Sequence, residues 1–383
     1  MYTTRFFKKL FLKGNEVIRN VAEKNGFIRA LYKALILPTN VAIFRANRYK
    51  VGSAILPKFV EEIHKNIEKF VPLDVRNNPK KRKDIEKDIV RAYFTGYFFP
   101  EEFFQNHFQN KSFEERSDFI SEQVKDVLLV SHCSDKKFEH TKNKAEFYKI
   151  TKPYFHRDVC LVSEDTSKEA FEVFVERHPK FIAKPVEGST GVGTTIIEIH
   201  DKVETEVVYS RLLQQGTWFV EELIIQHPDM AQWNPTSVNT LRVPTFRTAD
   251  GCRILQPFFR SGRKGSIIDN AGQGGVFAVF DPDTGVIITD GVDESGGIYE
   301  MHPDSKFKFK GWQIPQYDEL KKLAAELIHL MPFGQKYVGF DFALSQDGWV
   351  LVEGNSLGQF VGQIAEQKGV RQTVMKYLTD HSI

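Results

Sequence analysis

The sequence predicts a mixed α/β protein of the α+β kind, in which a mainly helical amino-terminal domain precedes a domain of short strands alternating with helices. Three observations point there. Apolar residues recur at helical spacing up to about residue 130, and from about Leu128 onward short β-branched, alternating stretches appear between turn residues. At 383 residues the chain is also long enough for two or three lobes with separate cores. The shift at residues 130–140 sets the expected boundary, with a helical domain over 1–135 and a second domain over 136–383.

The amino terminus, Arg5 to Lys13, mixes aromatic and aliphatic residues at helical spacing with four cations. It suits either a helix packed against the next apolar stretch, Phe27 to Leu37, or an interfacial helix on an anionic membrane surface. Pro57 to Phe70 carries Val60, Ile63, Ile67 and Phe70 on one helical face, and Ile85, Ile89, Tyr93 and Phe94 repeat the pattern. Between them, Lys80-Lys81-Arg82-Lys83 follows Asn77-Asn78-Pro79 and reads as a solvated loop and helix start. Ser112 and Glu115 form a capping box ahead of Phe119, Ile120, Val124 and Val127. Glu319 to Leu330 is a further helix, with Leu320, Leu323, Leu327 and Leu330 in phase.

Three segments of the second domain carry chemistry. Phe181 to Pro185 leads into Glu187-Gly188-Ser189-Thr190-Gly191-Val192-Gly193, after which Thr194 to Ile199 is again a strand. A glycine-rich turn between strands lets backbone N–H groups approach a polyphosphate, with Lys184 adding a point charge. Alone such a turn is more often an ordinary hairpin than a nucleotide lid. The strand-then-helix setting of a dinucleotide fingerprint is lacking, and no Gly-Lys-Ser/Thr opens a helix as in a Walker loop. Trp218 to Gln226 is an apolar strand interrupted by Glu221 and Glu222, suited to an adenine edge or to leaving the core with its acids in water. Tyr337 to Ala343 and Trp349 to Val352, around Ser345-Gln346-Asp347-Gly348, predict a β-hairpin that sets Asp341 beside Glu353 and Asn355, an oxygen set suited to Mg²⁺.

The succession of a lysine, a Lys-Pro with a glycine-rich loop, a Glu-Glu-Leu-Ile segment, basic residues, Asp and Glu-x-Asn resembles the ATP-grasp superfamily. Within it the chain looks like the sugar-transfer-associated branch, related to α-L-glutamate ligases, on Pro235 to Val243, Arg260-Ser261-Gly262-Arg263, Asp269-Asn270 and Gly274-Gly275. The resemblance covers roughly residues 135–375, and more loosely Phe99 to Phe104 and Lys111 to Arg116.

The resemblance implies an ATP-grasp fold with the nucleotide between two α+β lobes, 136–225 on the lid side and 226–383 on the metal side. Lys184 is then the second phosphate lysine and Lys144 the first, with Lys142 in reserve. Gly188, Ser189, Thr190, Gly191 and Gly193 would close over the outer phosphates, and Glu221, Glu222, Leu223 and Ile224 would form the adenine hinge. Asp341, Glu353 and Asn355 would hold Mg²⁺, with Mn²⁺ as a substitute. Arg242 and Arg260 lie where the family sets cations against the transferred phosphoryl group and the acyl phosphate; Asp269 and Asn270 would orient the acceptor or cap the following turn. Gln226, His227 and Asp229 occupy the stretch where a ribose-binding acid is usual, so no single ribose contact is named.

The expected activity is an ADP-forming carboxylate–amine ligase working through an acyl phosphate. The branch suggests an amide between an amino acid and a sugar acid in cell-surface polysaccharide; a small-molecule kinase on the same fold is the alternative. A formal charge of +2 gives no reason to expect nucleic-acid binding. Cys133, Cys160 and Cys252 suit a reducing cytoplasm and no thiolate metal site, and no run of about 18 apolar residues offers a membrane span. The expected location is the cytoplasm, with peripheral contact at the inner membrane face if the amino-terminal segment is interfacial.

Overall fold

The computed structural model describes residues 55–132, 141, 143–188, 193–263, 265–266, 269, 274–332 and 334–380. Outside them lie the Arg5–Lys13 and Phe27–Leu37 segments, Cys133, Lys142, Ser189, Thr190, Gly191 and Asn270. The chain divides into two compact units. The first takes Met1–His132, Glu294–Gly296 and Gln359–Lys376; the second takes Cys133–Asp293, Gly297–Gly358 and Tyr377–Ile383.

The first unit is helical. Helix α1 spans Ile55–Phe70, α2 Pro79–Gly96, α3 Pro100–Gln105, α4 Phe113–Ser117 and α5 Glu122–His132. Helix α2 starts where its sequence dictates: the Asn78 side chain accepts from the backbone N–H of Lys80 and Lys81, and Pro79 occupies the first turn, where its missing N–H costs nothing. Ile63 and Ile67 meet Ile89, Phe103, Phe108 and Phe119 in one aromatic-rich core. The Ser112–Glu115 box forms, but it caps the five-residue α4. Val124 and Val127 belong to α5 instead, because Phe119 turns into the core and Ser121 Oγ accepts from Val124 N at 3.3 Å to start a new helix.

The second unit holds two antiparallel sheets. Helix α6 (Lys144–Thr151) precedes β1 (Val159–Val162), α7 (Lys168–Arg177), β2 (Lys180–Pro185), β3 (Thr195–Glu198), α8 (Lys202–Gln214) and β4 (Trp218–Glu222). These strands are ordered β1-β4-β2-β3. Phe181, Ala183 and Val220 face α7 and α8 and are buried with Phe171, Phe174 and Leu212. By the two-residue period of a strand, Ile182, Lys184, Phe219 and Glu221 share the other face, where Lys184 pairs with Phe219 and Ile182 with Glu221.

The second sheet comprises β5 (Thr240–Thr248), β6 (Gly251–Ile254), β7 (Phe258–Ser261), β8 (Val276–Val279), β9 (Gly291–Val292), β10 (Ile298–Tyr299), β11 (Tyr337–Ser345) and β12 (Gly348–Asn355). The order is β10-β9-β8-β7-β5-β11-β12, with β6 beside β5. Leu241, Val243, Phe340, Phe342 and Leu351 form its apolar face, against Leu320, Ala324, Leu327 and Ile328 of helix α9 (Tyr317–Leu330). The predicted hairpin is β11–β12, with Asp341 opposite Glu353 and Gly339 opposite Asn355.

The pairing of this hairpin is irregular at one point. Phe342 pairs with Leu351 while Asp341 pairs with Glu353, so Val352 is an extra residue, a β-bulge. Leu351 therefore shares the apolar face of Phe342, and Glu353 the opposite face with Asp341. Without the bulge, residues 351 and 353 would face the same way.

Candidate active site

The two polar faces in the second unit border one cleft, lined by Lys144, Phe155, Lys184, Gly188, Phe219, Glu221, Glu353 and Asn355 among others. Lys144 opens α6, whose start is fixed by Asn143: its side chain accepts from Ala145 N at 3.0 Å and Glu146 N at 3.1 Å. The Lys144 ammonium donates to the carbonyls of Pro185 and Gly188, at 3.0 and 3.1 Å. It is thus tied to the start of the glycine-rich segment, where Gly188 has φ +128°, a conformation that favours glycine. Loss of solvent lowers the Lys144 pKa, more than Glu353 raises it.

Lys184 projects from β2 onto Glu221 of β4 and makes a close ion pair with it. Glu221 is buried, 1 % exposed, and also holds Arg157, whose Nε donates to Oε2 at 2.7 Å and whose Nη2 lies 2.5 Å from the same oxygen. Burial pushes the Glu221 carboxyl up, but the Arg157 and Lys184 charges outweigh it and hold it below its ordinary range. Glu222 points elsewhere: its carboxylate accepts from Asp158 N at 3.0 Å, beside His178 and Arg177 at the sheet edge. Leu223 and Ile224 follow β4 as half-buried residues. In the stretch considered for ribose, Gln226 binds the backbone and side chain of Asn239, and His227 caps Asp229 N at 3.2 Å.

On the second sheet the polar row runs Arg260, Thr240, Arg242, Asp341, Glu353. Registers Thr240–Arg260, Arg242–Asp341 and Asp341–Glu353 place these residues across four adjacent strands. Asp341 is 1 % exposed, and both of its oxygens are engaged: Arg242 forks onto them through Nε and Nη2, the latter at 2.9 Å, and Arg260 Nη2 adds a contact at 2.9 Å. Burial would raise its pKa, yet the two guanidinium charges bring it down to about 2. Glu353 keeps a 44 % exposed side chain, and Asn355 Nδ2 donates to its Oε1 at 3.0 Å. The Glu353 carboxyl is raised by loss of solvation and by the Asp341 charge.

Asp269 is buried and held against β5 through Thr240. One of its oxygens accepts from Thr240 N at 2.9 Å and from Thr240 Oγ1 at 2.5 Å, while Arg260 donates to that same hydroxyl at 2.9 and 2.7 Å. Sequence reasoning misses Thr240 and Arg157. Thr240 lies within the Pro235–Val243 motif, but a threonine in a strand gives no sign of a two-way hydrogen bond, and nothing local marks Arg157.

The profile of the family described as sugar-transfer associated ATP-grasp matches residues 129–377. The chain belongs to that family. Similar solved structures include the ATP-grasp ligase PsnB complexed with minimal precursor, at 14% identity and a TM-score of 0.41 over 70% of this chain and 71% of that one. The D-alanine-D-alanine ligase from Coxiella burnetii gives 9%, 0.40, 67% and 63%. The N5-carboxyaminoimidazole synthetase from Staphylococcus aureus complexed with ADP gives 12%, 0.42, 70% and 60%. No curated protein sequence matches the chain. In this ATP-grasp protein the α+β organisation expected from the sequence is present, and among the described residues no helix is long and apolar enough to cross a membrane.

Proposed function

We propose that this ATP-grasp protein is an ATP- and Mg²⁺-dependent ligase that phosphorylates a carboxylate and joins the acyl group to an amine. The observation that carries the reading is the convergence of Lys144, Lys184, Glu353 and Asn355 on one cleft in a member of this family. A carboxylate is a poor electrophile because oxide is a poor leaving group. Attack of its oxygen on the terminal phosphorus of ATP expels ADP and gives an acyl phosphate; attack of the amine on that carbonyl then expels phosphate and leaves an amide.

The chain's residues divide this work. Lys144 and Lys184 neutralise phosphate oxygens, which is the main lever in phosphoryl transfer. Phe155 and Phe219 would flank the base from the cleft wall, with the backbone of residues 221–224 reading its edge. Arg242 and Arg260, whose forks are engaged by Asp341 and Thr240, would supply fixed positive charge beside phosphate or carboxylate oxygens. The donor set fits a hard cation: Glu353 and Asn355 would hold Mg²⁺, with Mn²⁺ as a substitute, and Asp341 stands behind them with its oxygens on arginine. When bound, the ion supplies charge neutralisation at the phosphates. Gly188 to Gly193, including Ser189, Thr190 and Gly191, would exclude water that otherwise hydrolyses the acyl phosphate. Asp269 orients Arg260 through Thr240 in this reading.

The family's description directs the substrate proposal to a sugar acid acquiring an amino acid in cell-surface polysaccharide such as capsule or O-antigen, on the cytoplasmic side of the membrane. The test is nucleotide release from ATP and Mg²⁺ with a panel of uronic acids and amino acids, products being read by mass spectrometry. ADP that needs both partners, with a new amide mass, is the expected result. Phosphate on a single substrate with no hydroxylamine-trappable acyl group would mean a kinase.

A further inference from the structure

We infer that Arg157 is a positioning residue that frees Lys184 for the nucleotide phosphates, by serving as the permanent counter-charge of Glu221. The inference rests on the nucleotide reading of the cleft. Lys184 is spent on Glu221, so an incoming phosphate must draw it away. Pulling one partner from a buried ion pair is costly when the other is left as a lone buried charge. Glu221 is not left alone. Arg157, with a side chain only 4 % exposed, stays on its Oε2 through two nitrogens.

The remaining contacts of Arg157 show that it is built to stay. Its Nη1 donates to the carbonyls of Phe155 at 3.1 Å and Leu351 at 2.6 Å, and its guanidinium lies 4.4 Å from the centre of the Phe155 ring. The planar fork is thus fixed by Glu221 from β4, by the loop before β1 and by β12 two residues ahead of Glu353. Lys184 has the contrasting situation: it stands at the cleft wall, and among the described residues its ammonium is held by Glu221 alone. With both cations on one carboxylate the cluster carries a net positive charge, and the mobile partner is the one facing the cleft. Without Arg157 the pair Lys184–Glu221 is neutral and self-contained.

The test measures binding of Mg²⁺ with a fluorescent N-methylanthraniloyl ADP to the full chain. Arg157→Met should weaken binding at least about tenfold, because Lys184 is then retained by Glu221. Adding Glu221→Gln to that variant should recover most of the affinity, since the glutamine no longer holds the lysine; a merely structural Arg157 predicts further damage instead. Arg157→Lys, which keeps the counter-charge but loses the fork, should bind with an affinity between those of the parent and the methionine variant. That variant decides the matter if the methionine variant does not fold. Unchanged binding by Arg157→Met, no recovery in the double variant, or a lysine variant as weak as the methionine one would each overturn the proposal. Failure of the parent chain to bind the probe would overturn the nucleotide reading itself, and this inference with it.

Discussion

At the residue scale the charges of the second sheet are interdependent. From the sequence, Asp341 reads as a metal ligand whose change to Asn stops turnover and spares the fold. The structure makes it the shared partner of Arg242 and Arg260, so Asp341→Asn should also cost stability, on the order of 3–5 kcal/mol for a broken buried pair. Denaturant unfolding checks this against Glu353→Gln, whose part-exposed side chain should cost well under half as much. The pH dependence has a definite sign. The Asp341 pKa is depressed from 3.8 to about 2, so its contribution is fully present above pH 3.8 and is lost as the pH falls through about 2. Acid titration of the melting midpoint should show that loss in the parent and not in Asp341→Asn. These acids stand out in the sequence because each interrupts an otherwise apolar strand. Their division of labour does not, because it depends on which cation lies across the strand.

Elements were legible in proportion to the regularity of their pattern. The β11–β12 hairpin follows from two apolar runs around a turn, and helix α9 from a period of 3.6. Helix α4 is shorter than its sequence suggests, since a capping box marks a start and says nothing of the stop. Two predictions belong here. Asn143→Ala removes the cap of α6 and should cost about 1 kcal/mol, loosening Lys144 and weakening nucleotide binding. Gly354→Ala would place a methyl 2.5 Å from the Phe147 ring, and overpacking of this kind costs about 1–3 kcal/mol. Because Phe147 is on α6, nucleotide affinity should fall with stability; an alanine variant with parental melting and binding would show that the strand and helix can part without consequence.

For the whole molecule, the sequence indicates a change of character near residue 130, and the first unit includes the described residues 55–132. It also takes Glu294–Gly296 and Gln359–Lys376, and these returns could not be read from the sequence. Gln363 accepts from Ile120 N at 2.9 Å and donates to Ile120 O at 3.0 Å, a bond pair between residues 243 positions apart. No local pattern encodes such a closure. If nucleotide binds only the folded chain, Mg²⁺ and ADP at about a hundred times the dissociation constant should add about 2.7 kcal/mol of stability. A melting midpoint insensitive to both would contradict the cleft assignment.

The extra residue at Val352 has a consequence for how this chain tolerates change. Which side of the sheet a side chain occupies is a matter of odd or even count, and β12 changes its count once, between Leu351 and Glu353. Substitutions along the strand act by degrees, whereas the placing of this one residue acts as a parity switch. Drawing Val352 into the regular ladder would turn the acid and the amide toward the greasy underside of the sheet with the composition unchanged, while deleting it would straighten the strand and keep Glu353 opposite Asp341. The strand is therefore forgiving of spelling, and of length at this one position.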